Sequence, residues 1–138
     1  MIVLDTGPLV AALNHGDKHH EVCARLLRTH PGPLLVPSSV VVEVCQLVER
    51  RQGGKAEAAF LRSFGTGLTL VDLAASDLDR MSTLVEMYAS LPLGAVDASV
   101  IAIAERLKIS EVATLDRRHF TVVRPNHTSA LLLLPETL

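Results

Sequence analysis

The sequence predicts an α/β protein built around a mostly parallel sheet, because short apolar runs alternate with longer segments of helical spacing. Buried parallel strands are nearly continuous apolar runs, and the helices between them cover both faces of the sheet. We therefore expect a three-layer α/β/α sandwich with four to five strands. Its 138 residues are enough for one hydrophobic core, so we expect a single domain over residues 1–138.

The strands are short and apolar. In chain order, the predicted strands are "IVLD", "LLVP", "LTLV", "VATL" and, as a possible fifth, "TVVR". The later segment "SALLLLPETL" is either an edge strand or a tail that packs on a partner.

The helices between the strands have recognisable beginnings and ends. The predicted helices are "GPLVAALN", "KHHEVCARLLRTH", "SSVVVEVCQLVERR", "KAEAAFLRSF", "SDLDRMSTLVEMYASL" and "GAVDASVIAIAERLK". Pro8 suits a first helical turn, and Asp17 is expected to cap the second helix. Ser38 or Ser39 is expected to cap the third helix, which ends at Gly53.

Composition limits the classes of function. The net charge is −2 at pH 7, so overall charge does not indicate nucleic-acid binding. We expect no membrane span and no signal peptide, because no run of about 18 uncharged apolar residues occurs and Asp5 interrupts the apolar start. The 2 cysteines lack a CxxC spacing, and we expect reduced thiols in a cytoplasmic protein.

Four acids lie at strand ends or on apolar rows of helices, where a charged side chain is unexpected. Asp5 and Asp116 follow predicted strands, and the carboxyl ends of parallel strands border the crevice in which such folds bind ligands. Glu43 shares a helical row with apolar neighbours, and Asp97 begins the apolar stripe of its helix. Taken singly, each acid is better explained as a turn former, a helix cap or a partner in an ion pair than as a ligand.

Together, these acids predict a cation site. Carboxylates gathered at one sheet edge repel one another and lose hydration, which is costly unless a cation compensates. Mg²⁺ or Mn²⁺ prefers oxygen ligands and keeps waters that leave room for a phosphate. Asp72 is interpreted as a turn and cap residue, the histidines of "HGDKHH" as polar loop residues, and His119 as a weak candidate for a general base.

The chain resembles the PIN-domain ribonucleases, and among them the VapC-like toxins of bacterial type II toxin–antitoxin pairs. The resemblance rests on "VLDTGPLVA", "SSVVVEV", "LGAVDASVIAIAERL" and "VATLDRRHF", which stand in the family's order and spacing from Ile2 to about Pro125. It implies an acidic metal site of Asp5, Glu43, Asp97 and Asp116, with Thr114 in support. Some relatives carry another acid after the last one, where this chain has Arg117, Arg118 and His119.

The resemblance implies a metal-dependent endoribonuclease that uses Mg²⁺ or Mn²⁺. A metal-activated water would hydrolyse RNA phosphodiester bonds and leave 5′-phosphate and 3′-hydroxyl ends. Arg117 and Arg118 are candidate phosphate contacts. The implied partners are RNA, a small antitoxin and a second copy of the chain in a homodimer.

Two alternatives remain open at this stage. The first is a housekeeping PIN nuclease that processes RNA. The second, from a different class, is a non-catalytic acidic binding module, such as a receiver-like domain or an inactive PIN scaffold. Receiver domains usually have adjacent acids after the first strand, whereas here Asp5 is followed by Thr6.

Overall fold

The computed structural model describes residues 1–138 and contains one five-stranded sheet in which every pairing is parallel. The strand order is β3-β2-β1-β4-β5. The strands are β1 (Ile2–Leu4), β2 (Leu34–Pro37), β3 (Leu68–Val71), β4 (Glu111–Ala113) and β5 (Leu132–Leu134). The predicted fold class, an α/β/α sandwich with a parallel sheet, is therefore confirmed.

Seven helices flank the sheet. They are α1 (Thr6–Leu13), α2 (His20–Thr29), α3 (Ser38–Gln52), α4 (Gly54–Arg62), α5 (Ala75–Met87), α6 (Ala95–Leu107) and α7 (Arg117–Val122). No helix has both the length and the apolar character required to cross a bilayer.

The core lies around the central strand β1. Ile2, Val3 and Leu4 are fully buried, and they join one cluster with the apolar sides of α3 and α6. β1 pairs with β2 on one side and with β4 on the other, where Leu4 stands opposite Ala113. The residues that follow these two strands, Asp5 and Thr114, therefore emerge side by side at the carboxyl edge of the sheet.

The prediction of a strand at "TVVR" is wrong. This segment falls at the end of α7 and just after it, where Phe120 and Val123 are buried while Thr121 and Val122 are exposed. Burial at a spacing of three residues is helical, and a four-residue apolar run does not distinguish it from a strand. The fifth strand is β5, which pairs with β4 at the sheet edge, so the edge-strand interpretation of the C-terminal segment is the correct one.

Two predicted helix caps also differ from the structure. Pro37 precedes α3, and neither Ser38 nor Ser39 makes a capping bond; Ser39 instead contacts Ser99 on α6 at an Oγ–Oγ distance of 2.6 Å. The predicted cap Asp17 accepts a hydrogen bond from the amide of His19 (2.8 Å), the residue before α2, and makes no capping bond to the helix itself.

The cap of α5 differs as well. Asp77, and not Asp72, closes the start of this helix, because its carboxylate accepts a 2.8 Å bond from the Ala74 amide. Asp72 is exposed, and only its carbonyl is engaged, by Arg106 at 3.2 Å.

Candidate active site

Asp5 reaches the sheet edge because β1 ends one residue before it. Its backbone is extended and its amide still donates to Ala113 of β4 at 2.9 Å, so the strand pairing fixes its position. The carboxylate makes no capping bond to α1, although Asp5 precedes that helix. Instead, Oδ2 accepts a 2.8 Å hydrogen bond from the Thr114 hydroxyl, and Asp5 is only 6% exposed.

Thr114 links two of the predicted site acids. Its hydroxyl donates to Asp5 and accepts a 2.9 Å bond from the Asp116 amide. Thr114 directly follows β4 and is fully buried. Its two hydrogen bonds therefore connect the turn that carries Asp116 with the carboxylate of Asp5. The predicted supporting residue therefore lies in contact with the predicted site.

Asp97 and Asp116 both contact the side chain of His119, for which the sequence predicts no ligand role. The His119 Nδ1 lies 2.9 Å from Asp97 Oδ2 and 2.7 Å from Asp116 Oδ2. Asp116 precedes α7 and caps it by accepting a 3.0 Å bond from the His119 amide. The spacing of three residues between Asp116 and His119 would have revealed this contact, had α7 been predicted as a helix.

Glu43 projects from α3 without a partner of opposite charge. It is half-buried, and none of the chain's ion pairs includes it. Its charge is close enough to raise the pKa of both Asp5 and Asp97. The structure therefore places Asp97 within electrostatic reach of each of the other three predicted acids.

The site carries excess negative charge. The pKa of Asp5 is raised to about 6, mainly by burial and further by the charges of Asp97 and Glu43. The hydrogen bond from Thr114 opposes this shift. Burial likewise raises the pKa of Asp97, with a further contribution from Asp116 against the bond from His119. No lysine or arginine forms an ion pair with any of these acids.

The two predicted phosphate contacts are engaged elsewhere in this structure. The Arg117 guanidinium donates to the carbonyls of Leu133, at 3.2 Å, and Pro135, so it holds β5 against α7. Arg118 donates to the Leu91 carbonyl at 3.3 Å. Phosphate contact by either arginine stays a prediction.

The donor set suits a divalent cation. One ligand atom each from Asp97, Asp116 and His119 lie within 4.8 Å of one another, and Asp5 and Glu43 add uncompensated carboxylates nearby. Carboxylate oxygens with a single imidazole are ligands of Mg²⁺, Mn²⁺ and related ions. The largest concavity of the molecule, about 350 Å³, is a separate feature lined by the Arg80–Glu105 and Arg106–Asp77 ion pairs.

A sequence model of the PIN domain matches residues 2–124, which is most of the chain. The chain belongs to the PIN-domain family. Ribonuclease VapC26 of Mycobacterium tuberculosis (strain ATCC 25618 / H37Rv) is 29% identical over 135 residues, which cover 97% of this chain and 100% of that protein. The resemblance to PIN-domain ribonucleases of the VapC type is thereby confirmed.

Solved structures of toxins and of toxin–antitoxin complexes share the fold. Mycobacterium tuberculosis VapC20, described as a sarcin–ricin-loop-cleaving toxin, superposes with a TM-score of 0.75 at 24% identity, covering 81% of this chain and 87% of its own. A toxin–antitoxin complex from Klebsiella pneumoniae gives a TM-score of 0.71 at 17% identity, covering 96% and 100%. At these identities the similarity shows the fold alone.

Proposed function

We propose that this PIN-domain protein is a Mg²⁺- or Mn²⁺-dependent endoribonuclease that acts as the toxin of a toxin–antitoxin pair. The observation that carries the proposal is the group of four acids at one sheet edge, without a lysine or arginine partner and with the pKa of Asp5 raised to about 6. Such a cluster is destabilising because its carboxylates are partly buried and repel one another, and it becomes favourable around a divalent cation. The similarity to ribonuclease VapC26 supports RNA as the substrate.

The acids have distinct roles in this proposal. Asp5 and Asp97 are the principal ligands, while Glu43 and Asp116 act as further ligands directly or through water. A bound Mg²⁺ or Mn²⁺ ion supplies a water of lowered pKa and shields the charge of the phosphate. Thr114 keeps Asp5 and the Asp116 turn at a fixed separation through its two hydrogen bonds.

The reaction that fits this site is hydrolysis of the RNA backbone. Water adds to phosphorus, the bond from phosphorus to the 3′ oxygen breaks, and a proton released by the water ends on that oxygen, which leaves a 5′-phosphate on one fragment and a 3′-hydroxyl on the other. Arg118 lies two residues after Asp116, and we propose that it contacts the phosphate of the bound strand.

The proposed protein partners are a small antitoxin and a second copy of the chain. The Klebsiella pneumoniae structure is a toxin–antitoxin complex, and one from Rickettsia felis is VapBC2 bound to a fragment of promoter DNA, with a TM-score of 0.68. A concavity of about 200 Å³ between α1, α2 and α4 has an almost wholly apolar lining, in which Leu13, Leu27 and Leu68 are half-buried. This concavity is the surface that we propose for an apolar antitoxin segment.

The function is tested with Asp97→Asn, which removes one charge and keeps the size of the side chain. We expect the purified wild-type chain to cleave cellular RNA with Mg²⁺ or Mn²⁺, to stop in EDTA, and to arrest growth on induction. Asp97→Asn should lose both cleavage and growth arrest. The matched control is Asp72→Asn, since Asp72 also follows a strand but is exposed and its carboxylate has no partner.

Two results would contradict the proposal. Full toxicity of a folded Asp97→Asn protein would exclude the metal-nuclease interpretation. Cleavage without growth arrest, together with no antitoxin gene immediately upstream, would instead indicate a housekeeping PIN nuclease.

A further inference from the structure

His119 stands where it contacts two of the four acids at once. Its Nδ1 is 2.9 Å from Asp97 Oδ2 and 2.7 Å from Asp116 Oδ2, and its side chain is 19% exposed. We propose that His119 is itself a ligand of the divalent ion and that its nitrogen biases the site toward Mn²⁺ over Mg²⁺. This inference rests on the proposed metal-dependent function and assigns a residue outside the four acids.

The spacing of the donor atoms supports ligation. Neighbouring ligands of an octahedral ion with bonds of about 2.1 Å are about 3.0 Å apart. The two distances from Nδ1 to the carboxylate oxygens, 2.9 and 2.7 Å, are close to that separation. The third pair of ligand atoms, one oxygen each from Asp97 and Asp116, lies within 4.8 Å, so one ion can join all three atoms once the two carboxylates move closer together.

The imidazole is also held in place by the backbone. The His119 amide donates to Asp116 Oδ1 at 3.0 Å, which fixes the first turn of α7 relative to that carboxylate. Asp116 is in turn held by Thr114, whose hydroxyl also donates to Asp5. One continuous chain of hydrogen bonds thus connects the imidazole with Asp116 and Asp5.

The chemistry of the nitrogen determines the metal preference. Oxygen-only sites suit hard Mg²⁺, whereas an imidazole favours first-row transition ions. The carboxylates of the four acids also suit Mn²⁺, so adding one imidazole nitrogen to them favours Mn²⁺ over Mg²⁺.

The experiment is a Mn²⁺ titration of the full chain followed by electron paramagnetic resonance, with Mg²⁺ competition and electron spin echo modulation of the bound ion. We expect coupling to a directly bound nitrogen that changes when histidine is labelled with ¹⁵N. His119→Ala should abolish the coupling and weaken Mn²⁺ binding by about tenfold or more. His119→Asp should reduce the preference for Mn²⁺ over Mg²⁺, because it replaces the nitrogen with a carboxylate oxygen.

The matched control is His30→Ala. His30 also pairs with a carboxylate, Glu111, at 3.0 Å, but Glu111 begins β4 and so lies at the opposite edge of the sheet. This variant should retain the nitrogen coupling and the metal preference. Circular dichroism spectra of each variant establish that it is folded.

The outcomes separate this inference from the proposed function. Bound Mn²⁺ without nitrogen coupling, or Mn²⁺ affinity that rises in His119→Ala, would overturn ligation and identify His119 as a counter-charge that the ion displaces. Either result would leave the metal-dependent nuclease intact. Failure of the proposed function has a different signature, which is RNA cleavage that persists in EDTA.

Discussion

At the scale of single residues, the site depends on where two strands end. Asp5 could be predicted as a site residue because an apolar strand runs directly into it, and parallel strands bring their carboxyl ends to one edge. Thr114 follows from the same register, since β1 and β4 pair up to Leu4 and Ala113. His119 could not be predicted this way, because its position depends on a turn of helix that the apolar pattern did not reveal.

The raised pKa of Asp5 gives a prediction for stability. The folded protein holds the Asp5 proton up to about pH 6, whereas the unfolded chain releases it near the usual value of 3.8. The stability that this difference contributes is complete below about pH 4 and is lost as pH rises through 6. In EDTA, Asp5→Asn should therefore be more stable than the wild type at pH 8, by about 2–3 kcal/mol, and gain little at pH 4.5.

Urea denaturation at the two pH values measures this difference. The wild type should recover stability at pH 8 when Mn²⁺ is added, whereas Asp5→Asn should recover much less, because it has lost a ligand. If the difference in the free energy of unfolding between wild type and Asp5→Asn is the same at pH 4.5 and pH 8, the pKa of Asp5 is not raised in the metal-free protein.

At the scale of elements, α3 and α6 carry Glu43 and Asp97 and are joined by a pair of hydroxyls. Ser99 donates to the Val96 carbonyl at 2.6 Å, so the Ser39 hydroxyl donates to Ser99 Oγ across the two helices. Ser39 lies one turn before Glu43 on the same helical face. The sequence predicts a helix cap at Ser39, because a serine at the start of a helix usually caps it. A serine that bonds to a neighbouring helix instead stands at the same kind of position, so the sequence does not distinguish the two roles.

Loss of the hydroxyl pair should destabilise the fold. Ser99→Ala leaves the half-buried Ser39 hydroxyl without its acceptor, and we expect a loss of about 1–3 kcal/mol in the free energy of unfolding. Ser38→Ala is the control and should change it by less than about 0.5 kcal/mol, since the Ser38 side chain has no hydrogen-bond partner. Equal effects of both substitutions, measured by urea denaturation, would show that the interhelical bond does not contribute.

At the scale of the whole molecule, strand order determines which acids can meet. Four strands could be predicted from their short apolar runs, and the helices that carry Glu43 and Asp97 from their helical spacing of apolar residues. This holds even for β3, whose central residues Thr69 and Leu70 are exposed.

The sequence does not distinguish the edge strand β5 from a C-terminal tail packed on a partner, because its short apolar run shows no alternation. In the structure Leu132 is exposed although the rest of the strand is half-buried. The place of β5 depends on pairing with β4 and on the hydrogen bond from Arg117 to the Leu133 carbonyl, and both partners are distant in sequence.

The central claim is that this edge of the sheet hydrolyses RNA with the help of a divalent ion, and the chemistry of the product ends tests it most directly. Purified wild-type chain incubated with RNA and Mn²⁺ should give fragments with 5′-phosphate and 3′-hydroxyl ends, and none in EDTA or with Asp97→Asn. Fragments that end in 2′,3′-cyclic phosphate and form equally well in EDTA would contradict the account, because they arise from attack by the ribose hydroxyl without a metal-activated water.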